Sequence, residues 1–176
     1  MLLLPNPIGD RSGGSACHLP DMVDAWPRPL ARHLSRLVAC PIVPDVLVAT
    51  DADWIFDEVA AALTDEGTNV VRVRAGRDVS PAVREVSPGL VVLDLQIGNM
   101  GGIATALDLQ QEFDTREVPR VPILLLLDRP ADVPLARRTG VQGWLVKPLD
   151  AFRLRRAARA IAAGDTYFEP SGLAPA

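Results

Sequence analysis

The sequence predicts a doubly wound α/β fold: a five-stranded parallel sheet with helices on both faces. Three observations carry that expectation. Short runs rich in Val, Leu and Ile are apolar throughout rather than alternating, as in strands covered on both sides. Segments with apolar residues at helical spacing separate them. Each strand–helix unit also has a length suited to the crossover that joins two parallel strands.

Residues 1–45 stand apart. Pro5, Pro7, Pro20, Pro27, Pro29, Pro41 and Pro44, with Gly9, Gly13 and Gly14, read as an irregular arm. Within it, "RPLARHLSRLVA" (28–39) offers a short basic amphipathic helix. The folded domain is expected over residues 46–164, beginning with the strand "VLVA" (46–49). "DWIFDEVAAALTDEG" (53–67) follows, with Ile55, Val59 and Leu63 at four-residue steps, Asp53 as N-cap and Gly67 as the stop. "NVVRV" (69–73) is a second strand, and "VSPAVREV" (79–86) a short helix opening after Ser80 with Pro81 at its first position. "LVVLD" (90–94) is the third strand and "GIATALDLQQEF" (102–113) the third helix. "VPILLLL" (121–127) is the fourth strand, and "ADVPLARRTG" (131–140) a helical turn ended by Gly140. "GWLV" (143–146) is the fifth strand. "DAFRLRRAARAIAAG" (150–164) then has Asp150 as N-cap, Leu154, Ala157, Ala158 and Ile161 on one face, and Gly164 at its end. Residues 165–176 form a tail too short for another domain.

Composition narrows the function classes. With 48% hydrophobic residues but only 5% aromatics, the core must be built from Leu, Val and Ala. A net charge of −4 gives no global attraction for nucleic acid. Arg153, Arg155, Arg156 and Arg159 read as a solvated helix face rather than a nucleic-acid surface. Cys17 and Cys40 supply neither a disulfide framework nor four-ligand zinc spacing, so a reducing cytoplasm is the expected compartment. "MLLLP" lacks a basic lead and is stopped by Pro5, and no apolar run approaches the roughly 20 residues that span a bilayer.

In an open parallel sheet, ligands bind at the carboxyl ends of the strands. Here those ends present Thr50 and Asp51, then Asp94, then Asp128, then Lys147. Three carboxylates and one ammonium therefore share one edge. Crowded carboxylates repel, and a hard cation on oxygen ligands relieves the repulsion; magnesium suits one or two carboxylates plus waters. Gly98, Gly101 and Gly102 follow a strand, but their spacing is neither G-x-G-x-x-G nor a Walker loop. Close turns and helix–sheet approach explain them better.

"DLQIGNMGG" (94–102) and "LVKPL" (145–149) resemble the phosphoacceptor and Lys-Pro motifs of response regulator receiver domains, the CheY-like modules of two-component (phosphorelay) systems. The resemblance runs from Val46 to Gly164 and implies a flavodoxin-like (βα)5 fold. It implies Asp94 as phosphoacceptor and Lys147 as the phosphoryl contact. Mg2+ would be held by Asp51, Asp94 and the backbone carbonyl of Gln96. Trp144 would be the switch aromatic, and the Lys147–Pro148 peptide would be cis. The donor would be a sensor histidine kinase or phosphotransfer protein. Output would be a protein–protein contact, including a homodimer, through the face of the fourth and fifth helices and the fifth strand, with no DNA-binding domain and no enzymatic activity of its own. The chain departs from the pattern at three places. Thr50 stands where an acid is usual, Gly98 where proline is usual, and Leu127-Asp128 where a Ser or Thr hydroxyl is usual. A carboxylate at 128 repels a phosphoryl group, so Thr50 and Asp128 are accessory residues of open role. The alternative reading is a phosphorylation-independent pseudo-receiver serving as a constitutive interaction module.

Overall fold

The computed structural model describes residues 45–64 and 68–169. Eleven principal elements follow the expected alternation: β1 (Val46–Ala49), α1 (Asp53–Leu63), β2 (Val70–Val73), α2 (Val79–Val86), β3 (Leu90–Asp94), α3 (Gly102–Thr115), β4 (Ile123–Leu127), α4 (Val133–Ala136), β5 (Gly143–Val146), α5 (Ala151–Ala162) and, unexpectedly, a short β6 (Tyr167–Phe168). The sheet order is β2-β1-β3-β4-β5-β6, and every pairing is parallel. The irregular-arm expectation and its amphipathic helix, Gly67 and both cysteines lie outside the described residues.

β1, β3 and β4 are completely buried, which is why their sequences show no polar alternation. Their side chains point alternately to two cores. Leu47, Ala49, Val91, Leu93, Ile123, Leu125 and Leu127 pack on one side with Val79, Val83, Leu109, Phe113 and Ala136 of α2, α3 and α4. Val46, Val48, Leu90, Val92, Leu124, Leu126 and Leu145 pack on the other with Ile55, Val59, Leu154, Ala158 and Ile161 of α1 and α5. Burying a side chain of this size is worth about 1.5–3 kcal/mol, so these two layers supply most of the drive to fold.

Three expectations are corrected. The sheet has six strands rather than five, because residues 167–168 of the tail pair with β5. Asp53 does not cap α1: Ala52 is the N-cap residue and makes no side-chain cap bond. The Asp53 carboxylate is instead taken by Arg72 and Arg74, at 2.6 and 2.9 Å, because Arg72 on β2 and Arg74 just past its end both reach the start of α1. α2 begins at Val79 behind a 3-10 turn over Gly76–Asp78, so Pro81 is third in the helix. A proline is tolerated there because first-turn N–H groups have no helical partner. As the sequence indicates, 131–140 is a helical turn ended by Gly140: α4 is a single turn between 3-10 turns at Pro130–Asp132 and Arg137–Thr139. Asp150 caps α5 as the sequence indicates, accepting from the backbone N–H groups of Phe152 and Arg153.

Candidate functional site: an acidic cluster at the carboxyl edge of the sheet

Register brings the polar strand ends together. Asp94 is level with Leu126 on β4, and Leu127 is level with Val146 on β5. The next residues, Asp128 and Lys147, therefore emerge side by side next to Asp94, with Lys147 N–H donating to Leu127 O at 2.8 Å. The Lys147–Pro148 peptide is cis.

Asp94 is buried, and both of its oxygens are engaged. Oδ1 accepts from Lys147 Nζ at 2.7 Å and from Gln96 N–H at 3.3 Å; Oδ2 accepts from the buried Thr50 hydroxyl at 2.8 Å. Lys147 Nζ also donates to Asp128 Oδ1 at 2.7 Å, so one ammonium bridges two carboxylates. Burial alone would lower the Lys147 pKa, but its hydrogen bonds to Asp128 and Asp94, with their charges, raise it above 10.5. At Asp128 burial pushes upward, yet Lys147 and Gln96, with the charges of Lys147 and Arg129, hold it below the ordinary carboxylate value. The Gln96 side chain contributes to this even though no hydrogen bond of normal geometry reaches the buried Asp128 Oδ2. Trp54 at the start of α1 places its ring face 5.8 Å from Lys147 Nζ, adding a cation–π contact.

The loop after Asp94 is closed on itself. Ile97 N–H donates to Asp94 O, Met100 N–H to Gly98 O, Gly101 N–H to Ile97 O, and Gly102 N–H to Leu95 O. Gly101 adopts φ +76°, a conformation that favours glycine. Gly102 starts α3 directly against the strand end: a Cβ there would lie 2.8 Å from Leu95 Cα and closer still to Asp94 O. Asp51 is exposed beside this loop, with Oδ2 3.0 Å from where a Gly98 Cβ would stand. Among the described residues no hydrogen bond or ion pair engages its carboxylate, while its backbone oxygen accepts from Arg72 and Arg74.

Of the residues the sequence singled out, Thr50, Asp94, Gln96, Asp128 and Lys147 meet, and Asp51 flanks them. Trp144 does not. It is buried on β5, stacked on Phe168 with ring centroids 4.2 Å apart, and its Nε1 donates to Glu169 O at 3.0 Å. Arg72, Arg74 and Trp54 were missed. The only advance signal for the arginines was their alternation along an edge strand ("VRVR", 71–74), which puts both on one face. The α5 arginines serve the fold: Arg153 donates to Val146 O and Pro148 O, Arg155 to Ala62 O, and Arg156 lies over the Tyr167 ring.

Carboxylates at the ends of β3 and β4 share a lysine at the end of β5, with Asp51 beside the loop that follows β3, an arrangement in keeping with a receiver-type signalling domain. Residues 46–159 match the response regulator receiver domain family, and the chain belongs to that family. It is 25% identical over 119 residues to the protein PilH of Pseudomonas aeruginosa, covering 68% of this chain and 98% of PilH. It is 28% identical over 121 residues to the transcriptional regulatory protein AfsQ1 of Streptomyces coelicolor, spanning 68% of this chain but 51% of AfsQ1. The fold is similar to that of the chemotaxis protein CheY4 of Vibrio cholerae, with TM-score 0.58 and 22% identity over 68% of this chain and 98% of that one. No helix among the described residues is long and apolar enough to cross a membrane.

Proposed function

We propose that the chain accepts a phosphoryl group on Asp94 from a histidine kinase or phosphotransfer protein in the cytoplasm and passes the signal on through protein contacts. The observation that carries this reading is the 2.7 Å contact between Lys147 Nζ and Asp94 Oδ1 at the carboxyl edge of the sheet. An Asp94 oxygen attacks phosphorus in line; the new O–P bond forms as the bond to the donor's leaving group breaks. Lys147 turns its ammonium toward the incoming phosphoryl oxygens, and the Thr50 hydroxyl holds the second carboxylate oxygen in place. The domain contributes by positioning and electrostatics. The donor chemistry would suit magnesium: the Asp51 carboxylate, which no described residue engages, the Asp94 carboxylate and the Gln96 carbonyl are hard oxygens. Bound there, Mg2+ would neutralise charge on the phosphoryl oxygens. Output would run through the face of α4, β5 and α5, to an unidentified protein or a second copy.

Incubation with magnesium and a small phosphodonor, followed by intact-mass measurement, tests this. A gain of one phosphate in the wild type that is absent from Asp94→Asn is expected; no gain in the wild type, or an equal gain in the variant, refutes it. One observation favours the second reading, a module that binds its partner without phosphorylation: Asp128 already holds Lys147. That reading requires Asp94→Ala to bind the partner as the wild type does.

A further inference from the structure

β2 lies at one edge of the sheet, and Arg72 on it is level with Val48 of β1. Its side chain is nevertheless only 14% exposed. A guanidinium is costly to bury unless its donors are taken. Here each nitrogen has its own acceptor: Nε donates to Thr50 O at 3.1 Å, Nη2 to Asp51 O at 3.0 Å and Nη1 to Asp53 Oδ1 at 2.6 Å. The Phe56 ring covers the group, with its centroid 5.0 Å from Cζ. Both carbonyls need such a donor, because the α1 ladder opens only with Phe56 N–H donating to Ala52 O, one residue further on. Tying β2 to α1 would require only the Asp53 pair, which the exposed Arg74 also supplies at 2.9 Å. The two further bonds of Arg72 go to the turn that carries Thr50 and Asp51.

That turn is held unevenly. Thr50 is engaged at every polar group: its N–H donates to Val73 O at 2.9 Å, and its hydroxyl donates to Asp94 Oδ2 and accepts from Ala52 N–H. Asp51 is held by its main chain. Among the described residues nothing engages its carboxylate, which stands beside Gly98 of the loop after β3. The place of that carboxylate is therefore set through the carbonyl of the same residue, which Arg72 grips.

We propose that Arg72 is a positioning residue for magnesium: its planar fork fixes the turn between β1 and α1 and so holds the Asp51 carboxylate beside the Asp94 loop. The proposal rests on the reading in which Asp51 and Asp94 bind Mg2+, and deepens it by naming the residue that sets a ligand in place. Charge and position pull in opposite directions here. A fixed cation near a divalent metal opposes its binding, so loss of Arg72 would tighten Mg2+ if charge alone counted. Loss of a group that orients a metal ligand weakens binding instead, by about 10- to 100-fold. Lysine keeps the charge but cannot bridge two carbonyls and a carboxylate as the fork does.

The test titrates the full chain calorimetrically with Mg2+ alone, as wild type, Arg72→Met, Arg72→Lys and Arg74→Gln, with urea unfolding of each to confirm that it starts folded. Arg72→Met should raise the Kd for Mg2+ about 10- to 100-fold. Arg72→Lys should raise it severalfold despite keeping the charge. Arg74→Gln removes an exposed cation from the same carboxylate and should leave the Kd unchanged or lower it. In labelling of Asp94 by a small phosphodonor, the Mg2+ needed for half-maximal rate should shift by the same factor in Arg72→Met, while the rate at saturating Mg2+ stays close to that of wild type. Unchanged or tighter Mg2+ binding in a folded Arg72→Met would overturn the assignment, as would wild-type affinity in Arg72→Lys or an equal loss in Arg74→Gln. A wild type that takes up no Mg2+ would overturn it together with the magnesium part of the phosphoacceptor reading, whereas wild-type binding that the Arg72 variants leave untouched would overturn the positioning role alone.

Discussion

Asp128 makes the most informative perturbation. Lys147 Nζ stands 2.7 Å from an oxygen of Asp94 and 2.7 Å from one of Asp128, so those oxygens lie within twice that distance of each other. A phosphoryl group on Asp94 would therefore meet a full negative charge at close range. At an effective dielectric of about 20, unit charges about 5 Å apart repel by about 3 kcal/mol. The Asp128 side chain is 26% exposed, and solvent and salt trim the figure to about 1.5–3 kcal/mol. Asp128→Asn keeps the shape and removes the charge, and Lys147 retains Asp94 as its partner. Phosphorylation of Asp94 by a small phosphodonor with magnesium should then run about 10- to 100-fold faster, at 1.36 kcal/mol per decade. Time-resolved intact-mass spectrometry reads the rate, with Asp94→Asn as the unlabelled control. An Asp128→Asn protein that is folded and gains phosphate no faster than wild type refutes the electrostatic reasoning.

Other outcomes follow from the same geometry. Lys147→Met removes the one ammonium beside two carboxylates and should destabilise the fold by about 3–5 kcal/mol in urea titration, as loss of one partner of a buried pair does; Asp94→Asn in the same background should recover part of it. Gly102→Ala pushes a methyl into the Asp94–Leu95 backbone and should cost about 1–3 kcal/mol, while Gly98→Ala meets only a movable Asp51 oxygen and should cost far less. With pH, Lys147 has a folded pKa raised above 10.5, so its contribution is complete below that value and lost as pH rises through the folded pKa. Asp128, lowered from 3.8, contributes above that value and loses its contribution as pH falls through its folded pKa. The alkaline limb of the urea midpoint should accordingly flatten in Lys147→Met, and the acid limb should change in Asp128→Asn.

The parts of this structure that were legible in the sequence are those governed by local pattern. Continuous apolar runs gave β3 and β5 to the residue because both faces of each strand are covered, and the strand-end rule brought Asp94, Asp128 and Lys147 to one edge before any contact was known. What stayed hidden depends on partners distant in the chain. Asp53 has every local mark of a helix cap, and only the approach of Arg72 and Arg74 from β2 reassigns it. Thr50 looked neutral until burial against Asp94 gave its hydroxyl a task. β6 has no periodicity to detect in two residues; its existence depends on Trp144 and Glu169 meeting across the sheet edge.

The closed loop between Leu95 and Gly102 divides labour within a very short stretch of chain. Its backbone bonds set its length, since an inserted residue would break the bond from Gly102 to Leu95 that seats α3 on the strand. Of its exposed side chains, Met100 is free of that constraint, whereas Asn99 sits at φ +80°, which favours Asn or Gly, and Gln96 acts on Asp128. Most of the rim therefore belongs to the fixed frame, and Met100 is its exchangeable position. Substitution at position 100 can remodel the rim, in evolution or by design, while Asp94 stays where the sheet puts it.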